Sequence, residues 1–114
     1  MIFVIDDDAI MAKCVARACR QKCRIFDNAI TAIRAFDEEV PNLIFLDILL
    51  NGPDGFTFLN ELASYSDTAK IPIVIVSSLK FKAEDLADYG VVGVLDKDTM
   101  LPEEIKKYVE NYAK

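Results

Sequence analysis

The sequence of 114 residues contains no histidine. Without histidine the chain cannot form a Ser-His-Asp or Cys-His catalytic group, and it cannot form a mixed Cys/His zinc site. A phosphohistidine is excluded for the same reason. No Gly-rich or Ser/Thr-rich loop follows the first apolar run, which argues against binding of a flavin phosphate.

Long apolar runs are also absent. The two longest, 71–76 and 91–95, fall far short of the roughly 18 residues that a membrane-spanning helix needs. A strand-like run begins at residue 2 and leaves no room for a signal peptide, so we expect a cytoplasmic protein without membrane contact. The net charge is −6, and direct nucleic-acid binding is not expected, because phosphate contacts need clustered lysine and arginine.

Positive charge is nevertheless concentrated in one stretch near the N-terminus. Its members are Lys13, Arg17, Arg20, Lys22 and Arg24. Such a stretch is typical of a solvated helix face, and the alternative is a docking surface for an acidic partner.

The three cysteines, Cys14, Cys19 and Cys23, are odd in number, and their spacing fits no common zinc pattern. We therefore expect small buried hydrophobic residues in a reducing compartment.

Hydrophobic residues make up 53% of the chain, which is high for a small protein and favours strands buried on both faces. Apolar runs alternate with helical patterns five times. The predicted strands are 2–5, 23–26, 43–46, 71–76 and 91–95. This alternation predicts one α/β domain over residues 1–114, a flavodoxin-like doubly wound (βα)5 sandwich with a parallel sheet in the order 2-1-3-4-5.

The helix signals are local. Asp8 and Asn28 are suited to cap the first two helices, Gly90 to end the fourth, and Pro102 to begin the last. The apolar positions predicted to face the core are, in the first helix, Met11, Cys14, Val15, Ala18 and Cys19, in the second, Ala29, Ile33, Phe36 and Val40, and in the last, Ile105, Tyr108, Val109, Tyr112 and Ala113.

Polar residues follow four of the five predicted strands. They are Asp6-Asp7-Asp8 after the first, Asp47 after the third, Ser77-Ser78 after the fourth and Lys97 after the fifth. Because ligands of such sheets bind outside the carboxyl ends of the strands, we expect these groups to meet at one edge. Crowded carboxylates repel one another and raise at least one pKa, unless a divalent cation such as Mg²⁺ relieves the conflict.

These groups predict phosphoryl chemistry. A bound Mg²⁺ and the ammonium of Lys97 make a positive niche that attracts a phosphoryl group and stabilises charge on its oxygens. Asp47 can then attack as a nucleophile to form an acyl phosphate, and Ser77 can hydrogen-bond an oxygen of the product.

The sequence resembles the receiver domains of two-component response regulators over essentially its whole length. The matching segments are Val4-Ile5-Asp6-Asp7-Asp8, Leu43-Ile44-Phe45-Leu46-Asp47 with Asp54-Gly55, Pro72-Ile73-Val74-Ile75-Val76-Ser77 and Gly93-Val94-Leu95-Asp96-Lys97. The resemblance implies that Asp6 and Asp7 form the acidic pair that holds Mg²⁺, with Asp7 the direct ligand. It implies that Asp47 is the phosphoacceptor and also a metal ligand, and that the backbone carbonyl of Leu49 completes the metal site.

For the remaining positions the resemblance implies that Ser77 is the switch hydroxyl and that Lys97 contacts the phosphoryl group. The implied partner is a sensor histidine kinase or a His-containing phosphotransfer protein. We expect a switch rather than an enzyme, with self-phosphorylation and self-dephosphorylation as its chemistry. Formation of a homodimer upon phosphorylation is left open.

Two other functions compete with this expectation. Asp98 stands where receivers usually have proline, and Val94 where they usually have an aromatic switch residue, so a phosphorylation-independent pseudo-receiver that acts as a protein-interaction module is the alternative. A small phosphohydrolase with an aspartate nucleophile is a third candidate. Such enzymes commonly need a second acid two residues after the first, where this chain has Leu49.

Overall fold

A computed structural model describes residues 1–48, 55–80 and 82–113 of the chain. Over these residues it contains five strands, four α-helices and one 3-10 helix. The strands are β1 (Ile2–Ile5), β2 (Cys23–Phe26), β3 (Leu43–Leu46), β4 (Ile73–Ser77) and β5 (Val91–Asp96). The helices are α1 (Ala9–Cys19), α2 (Ala29–Ala35), α3 (Gly55–Ala63), the 3-10 helix Ala83–Tyr89 and α4 (Pro102–Tyr112).

The five strands form one parallel sheet in the order β2-β1-β3-β4-β5, which confirms the predicted topology. Ile5, the last residue of β1, lies opposite Phe26 on one side and Leu46 on the other. Three neighbouring strands therefore end at the same level, and the residues that follow them emerge at one edge of the sheet.

Helices cover both faces of the sheet, because alternate residues of each strand point to opposite sides. In β1, Phe3 and Ile5 belong to the apolar layer that also contains residues of α2, α3 and the 3-10 helix. Ile2 and Val4 belong to the opposite layer, together with residues of α1 and α4. Burial on both faces explains the high apolar content of the chain.

The predicted N-caps of the first two helices and the predicted end of the fourth helix are confirmed. Asp8 accepts hydrogen bonds from the backbone N–H groups of Ile10 and Met11 at 3.0 and 3.1 Å. Asn28 accepts one from Thr31 at 2.9 Å. Gly90 ends the 3-10 helix with a φ of 82°, a left-handed conformation that glycine adopts without strain.

Several predicted details were wrong. The second helix ends at Ala35 and buries Ala29, Ala32 and Ala35, whereas Val40 is exposed. The small alanines let the helix approach the sheet closely, and the larger Ile33 and Phe36 of the predicted face are only partly buried.

The fourth strand begins at Ile73 rather than Ile71, after a proline that has no N–H to donate to the ladder. In α1 the buried residues are Ala12, Val15 and Cys19, while Cys14 is exposed. Burial of all three cysteines was therefore a wrong prediction. In α4, Tyr112 is 41% exposed, although Ile105 and Val109 are buried as expected.

No helix in the described part of the chain is both long enough and apolar enough to cross a membrane.

Candidate functional site

Three carboxylates meet at the carboxyl edge of the sheet. Asp6 and Asp7 follow β1, and Asp47 follows β3. One oxygen from each of the three lies within 4.8 Å of the others, which is a spacing that suits a single metal ion. The backbone fixes this arrangement, since the N–H of Asp6 donates to Phe26 O at 2.9 Å and the N–H of Asp47 donates to Ile5 O at 2.8 Å.

Lys97 joins this cluster from the end of β5. Its Nζ lies 3.1 Å from Oδ2 of Asp6 and 3.2 Å from Oδ2 of Asp47. The backbone N–H of Lys97 donates to Ser77 O at 3.1 Å, so a hydrogen bond to β4 holds the residue that directly follows β5. Its side chain is 15% exposed. The ammonium group of Lys97 therefore contacts two carboxylates and is largely shielded from solvent.

Burial and the neighbouring charges shift the pKa values of two groups in this cluster. Burial raises the pKa of Asp6 above its ordinary value of 3.8, although hydrogen bonds from the backbone of Asp8 and from Lys97 oppose the rise. The charge of Asp47 raises the pKa of Asp6 further. For Lys97, burial lowers the pKa, but hydrogen bonds to Asp6 and Asp47 outweigh it and leave that pKa raised. The surroundings thus favour the charged form of Lys97 and disfavour the charged form of Asp6.

Asp8 does not belong to the cluster of three carboxylates. It is exposed, and its carboxylate accepts the two N–H groups at the start of α1. Its own backbone N–H donates to Oδ1 of Asp6 at 2.9 Å. Asp6 is thereby oriented through both oxygens, with the backbone on one and Lys97 on the other.

Ser77 is fully buried as the last residue of β4. Its hydroxyl oxygen accepts a hydrogen bond from the backbone N–H of Leu79 at 3.1 Å. The hydroxyl therefore lies at the same edge of the sheet as the acids, on the strand between β3 and β5. The carbonyl of Leu49, which the resemblance to receiver domains implied as a metal ligand, lies outside the described residues, and so does Asp54.

Two residues of the matching segments shape the site, although no role was predicted for either of them. A Cβ on Gly55 would lie 2.5 Å from Cα of Ile48, so only glycine lets α3 begin against the segment that follows Asp47. Asp96 accepts a hydrogen bond from the N–H of Asp98 at 2.8 Å and so shapes the turn that carries Lys97. The Asp-Lys-Asp triplet at 96–98 indicates such a turn, because an aspartate side chain often accepts a hydrogen bond from the backbone N–H two residues further along the chain.

Comparison with known proteins identifies a family. The model of the response regulator receiver domain matches residues 2–110. A protein-glutamate methylesterase/protein-glutamine glutaminase 2 of Rhizobium johnstonii is 34% identical over 83 residues. That match covers 68% of this chain and 22% of the relative, so the chain spans about a fifth of the relative's length.

Solved structures share the fold. The receiver domain of NtrX from Brucella abortus superposes with a TM-score of 0.83 at 24% identity, over 97% of this chain and 96% of that one. The Mn²⁺-bound form of the response regulator Rcp1 superposes with a TM-score of 0.74 at 20% identity, over 96% of this chain and 91% of that one.

Proposed function

The chain belongs to the family of response regulator receiver domains of two-component systems, and on that premise we propose that it is a switch operated by phosphorylation of Asp47. The observation that carries this proposal is the contact of Lys97 Nζ with Oδ2 of Asp47, 3.2 Å away and beside two further acids. A carboxylate that follows a strand and contacts a cation supports a role for Asp47 as the nucleophile that attacks phosphorus.

The proposed reaction is attack by a carboxylate oxygen of Asp47 on the phosphorus of the donor. The new O–P bond forms while the bond from phosphorus to the donor's leaving group breaks. Asp47 is 5% exposed, and this burial limits the access of water to the acyl phosphate. Lys97 shifts from a carboxylate to a phosphoryl oxygen and stabilises the negative charge that gathers there.

The acids fit a resident Mg²⁺. Asp6, Asp7 and Asp47 supply the hard oxygen donors that Mg²⁺ prefers, and we propose that the Leu49 carbonyl completes the set. A divalent ion relieves the repulsion among the acids and offsets charge on the phosphoryl oxygens. The Mn²⁺-bound Rcp1 structure supports a divalent cation in a receiver of this fold.

Ser77 is proposed as the residue that detects the phosphoryl group. A hydroxyl that accepts a hydrogen bond, as this one does from Leu79, can also donate one. Donation to a phosphoryl oxygen would draw the end of β4 and residue 79 toward Asp47. This movement would then alter the protein surface around the connection from β4 to β5, where a partner can bind.

The proposed phosphoryl donor is a histidine kinase or a His-containing phosphotransfer protein in the cytoplasm. The two basic residues of α1, Lys13 and Arg17, are exposed and available for docking with such a partner. The chemistry is self-phosphorylation and self-dephosphorylation rather than metabolic turnover. We also propose that residues 1–114 form one receiver domain, because the family model runs from 2 to 110.

The test is incubation with acetyl phosphate and Mg²⁺, followed by intact mass measurement. One phosphoryl group should be added to the wild-type chain and none to the Asp47→Asn variant or to a sample with chelator. Absence of incorporation, together with unchanged spectra on addition of a beryllium fluoride salt, would indicate a pseudo-receiver. Rapid continuous release of phosphate would indicate a hydrolase.

A further inference from the structure

A surface cavity lies between α1 and α4, the two helices that cover the same face of the sheet. Its volume is about 470 Å³, within the range of roughly 300–1,000 Å³ that small-molecule sites occupy. The end of α1 contributes Cys14, Arg17, Ala18 and Arg20 to the lining, and the start of α4 contributes Pro102, Glu103 and Lys106. None of these residues belongs to the acidic cluster, so the cavity is separate from the proposed reaction centre.

The lining of this cavity carries an excess of positive charge, although the chain as a whole has a net charge of −6. Arg17, Arg20 and Lys106 are its cations and Glu103 is its acid, which leaves a net charge of +2. In the described part of the chain, no carboxylate forms an ion pair with any of these three cations. Their charges are therefore available to an anion that enters the cavity.

Arg20 lines the cavity in an unusual backbone conformation. It is the C-cap of α1, with a φ of 53° and a ψ of 25°. Among the described residues other than glycine, it is the only one with a positive φ. Glycine adopts this left-handed conformation without strain and is the residue that most often ends a helix in this way. The arginine therefore has a conformational cost, which a role for its guanidinium group in the cavity would explain.

We propose that this cavity binds a phosphate monoester that carries hydroxyl groups, such as a nucleoside monophosphate or a sugar phosphate. A phosphate monoester is largely a dianion at neutral pH and matches the net charge of the lining. The guanidinium groups of Arg17 and Arg20 can each donate two parallel hydrogen bonds to phosphate oxygens. Glu103 can accept a hydrogen bond from a hydroxyl group of the ligand, and Ala18 and Pro102 offer apolar surface to its sugar or base.

The test is a titration of the full chain with adenosine monophosphate and with glucose 6-phosphate, followed by the chemical shifts of the backbone amides. Chelator is present, so that no metal ion can hold phosphate at the acidic cluster. The shifts of Arg17, Arg20 and Lys106 should change and saturate, and the compound that binds more tightly identifies the source of the phosphate group. Inorganic phosphate should bind more weakly, and adenosine and glucose should not bind. Failure of both monoesters to saturate, or equally tight binding of inorganic phosphate, would overturn the proposal.

Cys14 supplies a second measurement that locates the ligand. Its side chain is exposed and lines the cavity, whereas the half-buried Cys23 lies outside the lining. A bound ligand should slow the alkylation of Cys14 by iodoacetamide, a neutral reagent, and leave the rate at Cys23 unchanged, as followed by mass spectrometry of the peptides. An unchanged rate at Cys14 when the titration is saturated would place the ligand elsewhere and overturn the proposal.

Matched variants separate the cavity from the general charge of the surface. Lys106 and Lys107 are exposed neighbours on α4, but only Lys106 lines the cavity. Lys106→Gln should weaken binding about tenfold, which corresponds to one charge-assisted hydrogen bond, and Lys107→Gln should leave it nearly unchanged. Arg20→Gly should weaken binding to a similar extent without lowering the temperature of thermal unfolding, because glycine suits the left-handed conformation. Equal effects of Lys106→Gln and Lys107→Gln would overturn the proposal.

Discussion

The ammonium nitrogen of Lys97 lies 3.2 Å from Oδ2 of Asp47, although fifty residues separate the two along the chain. The same nitrogen lies 3.1 Å from Oδ2 of Asp6. Since Asp6 and Asp47 are 3% and 5% exposed, water contributes little to the solvation of either carboxylate. Lys97 therefore holds together the ends of β1, β3 and β5 and also stands at the proposed reaction centre.

Replacement of Lys97 by methionine should destabilise the metal-free protein. Two buried carboxylates lose their cation, and the loss of one partner of a buried ion pair costs about 3 kcal/mol. Urea denaturation in the presence of chelator measures the effect. Lys106→Met, at an exposed position on α4, is the matched control and should change stability little. Equal stability of the two variants would show that the ion pairs contribute nothing.

Asp6→Asn should increase the stability of the metal-free protein at neutral pH. Burial is the largest influence on Asp6 and raises its pKa, so the charged form is less favourable in the folded chain than in the unfolded one. Below pH 3.8 the carboxyl is protonated in both states and the gain should vanish. The gain in stability should grow as the pH rises from 3.8 to the raised pKa of the folded state, and it should stay constant above that pKa.

Urea denaturation at several pH values, with chelator present, measures this dependence. Asp8→Asn serves as the control, because Asp8 is exposed and asparagine is also a good N-cap. A loss of stability at neutral pH in Asp6→Asn would mean that the ion pair with Lys97 outweighs the burial of the carboxylate.

Mg²⁺ should stabilise the wild-type chain against unfolding. A ligand that binds only the folded state at one hundred times its dissociation constant contributes about 2.7 kcal/mol. Asp7→Asn should lose most of this gain, because Asp7 supplies one of the three clustered oxygens. Asp8→Asn should keep it, since Asp8 caps α1 instead. Thermal unfolding with and without Mg²⁺ compares the three chains, and similar gains in all of them would argue against the proposed ligands.

Gly55→Ala should be far more harmful than Gly93→Ala. At position 55 the new methyl group meets the backbone of Ile48, which cannot move aside, and we expect a loss of about 3 kcal/mol. At position 93 it meets the end of the partly exposed Tyr108 side chain, which can rotate away, at a cost of about 1 kcal/mol or less. Denaturation midpoints of both variants check this order, and the reverse order would contradict the packing described.

Much of the fold could be predicted from the sequence, because buried strands were bounded by polar residues. The strand 43–46 is an example: four apolar residues run directly into Asp47, and the structure has the same bounds. The parallel arrangement of the strands was sufficient to predict that Asp6, Asp47 and Lys97 lie close together at one edge of the sheet. Their chemical roles stay predictions, since geometry shows proximity and not reaction.

Which side chains of α1 and α2 are buried depends on packing against the sheet, and the spacing of apolar residues in the sequence does not specify that packing. The second helix was predicted to bury Ile33, Phe36 and Val40, but close approach to the sheet selected its alanines instead. Cys14 was counted as apolar, yet it lies on the exposed side of α1.

The most direct test of the central claim is to locate the phosphoryl group. After treatment with acetyl phosphate and Mg²⁺, borohydride reduces an aspartyl phosphate to homoserine, and peptide sequencing by mass spectrometry shows where this occurred. We predict homoserine at position 47 only, and none when Mg²⁺ is chelated. Homoserine at position 6 or 7, or at no aspartate in the chain, would contradict the account.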